Sequence, residues 1–383
     1  MTTTTTSGTT RAERLGDLGP DGFAWLRADG SGFVTSGVAA RITPAEAAEL
    51  ASRFGVDAIA VGALPFDGDG ELVVPARVAR FARDGETTRF ELGTQGSWIV
   101  APRRLSLVHR VPRRFTLEAR QDLSAWDAIV AAALAAIDRG GLEKVVLARE
   151  VVVEADTPFE VPTILDRLAA TQPGCFVYAD AGFVGASPEL LVRRRGLSVT
   201  CRPMAGTIAR HEDPDDDEAA IARLCSSRKD DVEHRLVVDA VRAVLSTRCD
   251  SLTVGEPEPR RFTTVTHLTT TIEAALRDPQ TSALDLAREL HPTPAVGGSP
   301  RAAALATIAR LETFDRGNYG GPVGWLDANG DGEFAVALRC AQISGGRARL
   351  LAGAGIVEGS DPDAEWTETQ AKLEPMLRAL VRP

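Results

Sequence analysis

The chain of 383 residues is 44% hydrophobic and carries 43 basic against 53 acidic side chains, a formal net charge of −10 at pH 7. This length can bury a large core and predicts either two domains or one two-lobed unit. The acidic balance argues against nucleic acid or an anionic membrane surface as a partner, and the sequence has no apolar run of about 18 residues that would span a membrane.

The N-terminal segment is rich in threonine and has no apolar core, so it does not resemble a signal peptide. We expect residues 1–16 to be a disordered tail. The chain has five cysteines without CxxC or similar spacing. Reduced thiols of this kind are typical of a cytoplasmic protein.

Residues 20–115 alternate short apolar segments with glycine and proline, which predicts an α/β region of short strands. A helix follows, with Asp122 or Ser124 as its N-cap and Gly140–Gly141 as its end. The valine-rich residues 143–155 then predict a strand.

A helix is predicted over residues 161–174, followed by three short strands with glycine-rich turns. An acidic loop then leads into one long helix from about Asp216 to Leu245. A strand pair, a helix over residues 281–290 and a Gly/Pro loop running into another helix come next.

Residues 319–357 have the short, turn-punctuated segments of a β-meander, and a final helix begins at Ser360 or Asp361. Blocks of strands between long helices indicate an α+β protein in mixed layers.

The stretch DANGDG, residues 327–332, matches the first half of a calcium-binding loop. The twelfth position of such a loop must be a bidentate acid, and here it is Leu338. We therefore predict a β-hairpin turn rather than a calcium-binding interaction protein. GASPE, residues 185–189, is not a nucleophile elbow, because Glu189 stands where that motif needs glycine.

Lysine is rare in this chain: 40 of the 43 basic residues are arginine, and the lysines are Lys144, Lys229 and Lys372. Lys144 begins the predicted strand 143–155. The simplest reading is a solvated lysine at a strand edge, but a generic surface position in this chain would usually be arginine. A lysine that must lose its proton is the alternative, since burial can lower the pKa of lysine whereas arginine stays protonated.

The closing helix carries Glu365, Glu368 and Lys372 at spacings of three and four, and so on one face. The long middle helix repeats the spacing with Lys229 and Glu233. These could be solvated salt bridges worth a few tenths of a kcal/mol. Carboxylates from two helices that converge would instead suit Mg²⁺.

Taken together, a series of motifs over residues 118–380 resembles the chorismate-utilising enzymes, and within them the siderophore-type isochorismate synthases. The motifs are KVVLAR (144–149), FVGASPELLV (183–192), RPMAGT (202–207), SSRKDDVEH (226–234), VTHL (265–268), LHPTPAVGG (290–298), RGNYGGPVGW (316–325), GEFAVALR (332–339), AGAGIV (352–357) and SDPDAEWTETQAK (360–372).

The resemblance implies an α+β fold like that of anthranilate synthase component I, with two β-sheets in a sandwich flanked by helices. Residues 17–383 would form one two-lobed domain with its active site in the cleft between the lobes. Glu233 and Glu368 are implied to hold Mg²⁺, with Glu365 as a further candidate. The implied substrate contacts are Gly206, Thr207, His267, Ala295, Tyr319, Arg339, Gly353 and Lys372.

Two positions distinguish branches of this family. The hydroxylating branches use a lysine at the position of Lys144 as general base on water, whereas aminating branches often have Gln there. The aminodeoxychorismate branch has a nucleophilic lysine where this chain has Ala205. The resemblance thus implies that Lys144 activates water and that Glu189 is the general acid. No segment resembles a glutamine amidotransferase.

The activity implied is the isomerisation of chorismate to isochorismate, which would serve siderophore, salicylate or menaquinone synthesis. A salicylate synthase, which also eliminates pyruvate, shares the catalytic residues and is the alternative. The family's siderophore form more often has Cys where Gly297 stands. A chorismate-binding protein without activity would be expected to lack one of these residues. We expect a monomer.

Overall fold

The computed structural model describes residues 10–84, 86–92, 98–100 and 112–381. Within these ranges the α-helices are α1 (Arg11–Leu15), α2 (Leu50–Phe54), α3 (Leu123–Asp138), α4 (Val161–Thr171), α5 (Pro214–Ser226), α6 (Arg228–Arg248), α7 (Ala283–Leu290), α8 (Arg301–Leu311) and α9 (Pro362–Val381), with a 3-10 helix at Pro44–Glu49. No helix of these ranges is both long and apolar enough to cross a membrane.

The strands of the same ranges are, in chain order, β1 (Phe23–Leu26), β2 (Gly32–Ile42), β3 (Ile59–Ala63), β4 (Leu72–Phe81), β5 (Thr87–Leu92), β6 (Trp98–Val100), β7 (Phe115–Ala119), β8 (Lys144–Ala155), β9 (Phe176–Asp180), β10 (Phe183–Ser187), β11 (Leu190–Arg195), β12 (Ser198–Arg202), β13 (Met204–Ala209), β14 (Cys249–Val254), β15 (Glu258–Arg261), β16 (Val265–Thr269), β17 (Ile272–Leu276), β18 (Gly298–Ser299), β19 (Pro322–Asp327), β20 (Gly332–Val336), β21 (Cys340–Ser344) and β22 (Arg347–Val357).

Most strands belong to one continuous antiparallel sheet that closes round a shared core and has two arms meeting at β4. The first arm runs β4–β2–β1–β9–β10–β21–β22–β8–β7. The second runs β4–β3–β19–β20–β11–β12–β17–β14. A separate sheet has the order β13–β16–β15.

Apolar side chains from both arms meet in one core, which includes Trp25 and Tyr178 of the first arm and Val323 and Ala335 of the second. Helices α4 and α9 pack against the first arm, and α6 and α7 against the second. The two arms thus form the layers of a sandwich with helices outside, because each arm buries one face on the other arm and one on helices. The predicted α+β class is confirmed.

The disordered tail predicted for residues 1–16 includes residues that are helical in the structure. Residues 1–9 lie outside the described part, but Arg11–Leu15 is a helix. Leu15 is 1% exposed and packs in the core that α4 and α9 share with the first arm. The prediction weighed only the threonine content and overlooked the apolar surface that Leu15 and Leu18 offer.

The long middle helix predicted from Asp216 to Leu245 is two helices, α5 and α6. Ser227 breaks the run with φ −73° and ψ 115°, and its side chain caps α6 by accepting a hydrogen bond from the backbone N–H of Asp230 at 3.2 Å. A serine that caps its neighbours offers the backbone an alternative to helix, which favours a boundary at that point.

The DANGDG turn joins β19 to β20, as predicted. Asp327 accepts hydrogen bonds from the backbone N–H groups of Asn329 and Asp331 at 2.9 and 3.1 Å. Asp331 pairs with the buried Arg194 at 3.1 Å. These carboxylates are therefore used to hold the hairpin.

Glu333 on β20 joins the two arms of the sheet through a buried carboxylate. It accepts hydrogen bonds from Trp25 Nε1 at 2.8 Å, Arg27 Nε at 2.8 Å and Arg193 Nε at 2.6 Å, and it is 1% exposed. Burial would raise its pKa, but Arg27 and Arg193 outweigh burial and hold the pKa below its ordinary value. The carboxylate is therefore charged in the fold.

Glu333→Gln should lower the free energy of unfolding by about 3 kcal/mol, because removing one partner of a buried pair leaves the others uncompensated. Glu91→Gln is the control: its pair with Arg77 is about a third exposed, at 32% and 34%, and should contribute less than about 1 kcal/mol. Urea denaturation at neutral pH measures both. Equal losses in the two variants would contradict the role given to Glu333.

Candidate active site

A cavity of about 630 Å³, including its opening to solvent, lies where β8, β13, β16 and β22 meet α6 and α9. Its lining is Val146, Pro188, Glu189, Met204, Ala205, Gly206, Thr207, Glu233, His267, Ala295, Val296, Tyr319, Leu338, Arg339, Leu351, Ala352, Gly353, Gly355 and Lys372. The structure therefore brings all the predicted substrate contacts to one cavity, together with Glu189 and Glu233.

The remaining predicted site residues lie outside this lining, and Lys144 and Glu368 contact residues that belong to it. Lys144 Nζ lies 2.7 Å from Glu233 Oε1, and Glu368 Oε1 lies 2.5 Å from Lys372 Nζ. Glu365 is bonded to Lys229 at 3.0 Å.

Each lysine of the chain thus pairs with one carboxylate at this site. Lys229 does not pair with Glu233 on its own helix, as the spacing had suggested, but reaches across to Glu365 on α9. Glu233 pairs instead with Lys144, whose side chain is 1% exposed. The Lys229–Glu365 pair shows that the first turns of α6 and α9 meet, which the spacing within each helix could not establish.

The lysines do not neutralise all the acid at the site. Burial raises the pKa of Asp230, and the charges of Glu233 and Glu368 raise it further. Burial and the charge of Glu368 likewise raise the pKa of Glu365. Each of these carboxyls therefore binds its proton more tightly than it would in water, and a cation placed beside them would offset their mutual repulsion.

The chemistry of these side chains fits Mg²⁺. The described residues contain no preassembled group of three or more His, Cys, Asp or Glu side chains that could enclose a metal ion. Mg²⁺ is usually held by one or two carboxylates, with substrate oxygens and water completing its coordination. Glu233 on α6 and Glu368 on α9 are the candidates for such a pair.

Lys144 is placed by the pairing of β8 with β22, in which Val146 lies opposite Gly355. A Cβ atom at Gly355 would lie 2.7 Å from Glu233 Oε1 and 2.9 Å from Lys144 Cε. Only a residue without a side chain therefore leaves room for the ammonium and the carboxylate beside the cavity. Gly355 was not among the predicted site residues.

Glu189 follows β10 and is 3% exposed. Ser187 holds this turn, since its hydroxyl donates to the carbonyl of Val336 at 2.6 Å and accepts from the N–H of Glu189 at 3.2 Å. Burial raises the pKa of Glu189 to about 7, against the opposing effects of the Met204 backbone and of Arg339. A carboxyl with this pKa carries a proton for much of the time at neutral pH and can give it up.

His267 is a neutral hydrogen-bond acceptor for Arg339. Arg339 Nη2 lies 2.8 Å from His267 Nε2, and a guanidinium can only donate, so Nε2 must accept. The ring proton is then on Nδ1, within reach of Thr207 Oγ1 at 3.0 Å and of the carbonyl oxygen of Gly206 at 3.3 Å. Burial, Arg339 and Lys372 together hold the pKa of His267 well below its ordinary value.

Arg339 faces the cavity as a cation without a counter-charge. It is 8% exposed and forms no salt bridge with any described residue. Its φ of +50° is unusual for a residue with a side chain, and such strain is commonly found at functional sites. Burial raises the pKa of Tyr319 to about 12, so its hydroxyl remains a donor. Arg339, Tyr319 and Lys372 can therefore bind an anion.

The loop that carries Ala295 is held by a buried ion pair that the sequence did not single out. Arg316 donates to both oxygens of Glu312 at 2.6 and 2.8 Å, and these side chains are 3% and 2% exposed. The same guanidinium donates to the carbonyls of Val296 and Val146, each at 2.7 Å. The four-residue spacing of Glu312 and Arg316 predicts an ion pair, but it does not reveal that this pair joins the loop to β8.

Comparisons with known proteins identify the family of this chain. A model of the family described as "Chorismate binding enzyme" matches residues 99–381. Isochorismate synthase EntC of Escherichia coli K12 is 38% identical over 328 residues, which are 83% of this chain and 80% of that protein. The solved structure of the menaquinone-specific isochorismate synthase MenF from Escherichia coli superposes with a TM-score of 0.86 at 28% identity, over 98% of this chain and 92% of its own. Anthranilate synthase component I of Streptococcus pneumoniae shares the fold, with a TM-score of 0.73 at 23% identity, over 94% of this chain and 91% of its own.

The raised pKa of Glu189 makes stability depend on pH. The carboxyl binds its proton more tightly in the fold, about pKa 7 against 4.5, so its contribution to stability is complete below about pH 4.5 and is lost as pH rises through 7. Relative to Glu189→Gln, wild type should lose about 3 kcal/mol of unfolding free energy between about pH 4 and pH 8. Urea titrations of both proteins across that range measure it, and a difference that stays constant with pH would contradict the burial of this carboxyl.

Proposed function

This protein belongs to the chorismate-binding enzyme family, and we propose that it is a Mg²⁺-dependent isochorismate synthase, an isomerase that converts chorismate to isochorismate. The observation that carries the proposal is the arrangement at one cavity of a buried lysine, Lys144, and a carboxyl with a pKa of about 7, Glu189. Relatives that act as isochorismate synthases match most of the chain.

Chorismate carries two carboxylates, and the proposal gives each a separate cationic partner, Arg339 for one and Mg²⁺ for the other. Arg339 and Tyr319 bind the enolpyruvyl carboxylate, for which the planar guanidinium fork suits two parallel hydrogen bonds. His267 supports this by holding Arg339 at 2.8 Å in a fixed orientation. The ring carboxylate lies toward Glu233 and Glu368.

Glu233 and Glu368 would hold Mg²⁺, with Glu365 beside them. When bound, the metal neutralises the ring carboxylate and orients the substrate. In its absence the same carboxylates are held by Lys144 and Lys372, which keeps them in place.

The chemical step adds water at C2 and removes the hydroxyl at C4. Lys144 Nζ takes a proton from water as the water oxygen bonds to C2, and the ring double bonds shift. The C4–O bond breaks while Glu189 gives its proton to the departing oxygen, so one water enters and one leaves. Lysine suits the base role because it can exist neutral, whereas arginine stays protonated.

Water rather than ammonia is the nucleophile in this proposal. Lys144 is the residue expected of the hydroxylating branches, and Ala205 stands in the cavity wall where the aminodeoxychorismate branch has its nucleophilic lysine. All four of Lys144, Glu189, Glu233 and Glu368 are present, which argues against a binding protein without activity. We also propose that the enzyme is a cytoplasmic monomer whose product enters siderophore, salicylate or menaquinone synthesis.

Incubation with chorismate and Mg²⁺ should give isochorismate without pyruvate, and omission of ammonium should leave the rate unchanged. Separation of the products by liquid chromatography measures this directly. Accumulation of salicylate with an equal amount of pyruvate would instead identify a salicylate synthase, and a requirement for ammonium would identify an aminating enzyme.

Lys144→Ala and Glu189→Gln should each lower kcat by roughly 10²- to 10⁴-fold, the usual range for loss of a general base or acid. Chorismate binding in the presence of Mg²⁺, measured by calorimetry, should stay within about threefold of wild type, since neither residue is a main binding group. Near-normal turnover in either variant would refute its role.

The matched pair Lys144→Arg and Lys229→Arg separates base chemistry from charge. Both keep a cation beside a glutamate, but only the first removes a group that can give up its proton. The first should therefore be inactive, while the second should keep most of the activity.

A further inference from the structure

Arg149 on β8 is a buried cation that the proposed mechanism does not use. It is 1% exposed, and its Nη2 has no hydrogen-bond partner. Residues of a strand alternate between its faces, so Arg149 points away from the face on which Val146 lines the cavity. A charge buried in this way needs an explanation, because burial without a partner is costly.

No carboxylate explains it. Arg149 forms no salt bridge with a described residue, and burial alone lowers the pKa of Arg149, to about 10. Its contacts are geometric: Nε donates to Thr369 Oγ1 at 2.6 Å, and the guanidinium carbon lies 3.5 Å from the centre of the Trp366 ring. Hydrogen bonding and stacking at once are what a planar guanidinium does and a lysine cannot do.

Both contacts are on α9, at the two positions that directly follow the carboxylates of the site. Trp366 follows Glu365 and Thr369 follows Glu368, so the two pairs of side chains lie on neighbouring faces of the helix. Thr369 Oγ1 also donates to the carbonyl of Trp366 at 2.7 Å, which ties the two contacts together. A rotation of α9 that moved the carboxylates would have to break these contacts.

A second contact clamps the start of the same helix. Trp126 of α3, which is fully buried, donates from Nε1 to the carbonyl of Pro362 at 3.0 Å, and its ring lies 6.3 Å from that of Trp366. The first two turns of α9 are therefore fixed from the side opposite the cavity.

We propose that Arg149 is a positioning residue that fixes the rotation of α9 and thereby sets the affinity of Glu233 and Glu368 for a divalent cation. The inference rests on the proposed metal role of those glutamates. It assigns a function to a side chain that touches neither substrate nor metal. In this proposal, the unfavourable free energy of burying Arg149 is tolerated because the side chain holds α9 in one orientation.

The test is titration of Mg²⁺ alone into wild type, Arg149→Met, Arg149→Lys, Arg167→Met and Glu368→Gln by calorimetry, with thermal unfolding of each. Arg149→Met fills the space and orphans no carboxylate, so it should unfold at the wild-type temperature or higher while its Kd for Mg²⁺ rises at least tenfold. Arg149→Lys should recover part of that affinity. Arg167 donates to the carbonyl of Ala379 at 2.9 Å at the far end of α9, so Arg167→Met should leave the affinity unchanged.

Other results would contradict either the role of Arg149 or the proposed metal site. Wild-type affinity in Arg149→Met with a lower unfolding temperature would make Arg149 a purely structural residue and overturn the inference. Equal losses of affinity in Arg149→Met and Arg167→Met, or failure of both Arg149 variants to fold, would do the same. Failure of wild type to bind Mg²⁺, or unchanged binding in Glu368→Gln, would instead refute the proposed metal site.

Discussion

The site depends on three buried or half-buried ion pairs, Lys144–Glu233, Lys229–Glu365 and Lys372–Glu368. The first pair joins β8 to α6 and the second joins α6 to α9, whereas the third lies within α9. Burial of these ammonium groups is offset by the carboxylates that they meet, since removal of one partner of a buried pair leaves the other charge uncompensated. The proposed divalent cation would offset the carboxylate charge that these lysines leave unmatched. The placement of the three lysines and of their carboxylates is therefore one electrostatic arrangement.

The sequence predicts which elements carry the charged residues of the site, but it does not predict which residues pair with one another. The strand of Lys144, the shared face of Glu365 and Glu368 and the DANGDG hairpin follow from local periodicity and turn chemistry, which a sequence carries openly. The partner of Lys229 does not, because i,i+4 spacing offered Glu233 whereas the fold offered a carboxylate on another helix. Ion pairs between residues distant in the sequence depend on how the helices pack, and local sequence patterns carry no information on that packing.

Residues outside the three lysine–glutamate pairs are also constrained by the fold. Gly355 matters for the side chain it lacks, and Arg316 for the two carbonyls it holds in separate segments. Arg339 has its guanidinium aimed by a neutral histidine and its backbone in a strained conformation. None of these roles is visible in residue type alone. Each follows from an approach of atoms that only the folded chain brings about.

The chain's scarcity of lysine has a practical side. Since every side-chain amine of this protein belongs to the site, a reagent that acylates amines reports on that site and, apart from the N-terminus, on nothing else. The three amines differ in access: the side chain of Lys229 is 42% exposed, that of Lys372 16% and that of Lys144 1%. Their order of labelling would read out how deeply solvent enters the cavity, and a bound ligand would appear as protection. Acylation of the three lysines would therefore report whether a ligand occupies the cavity.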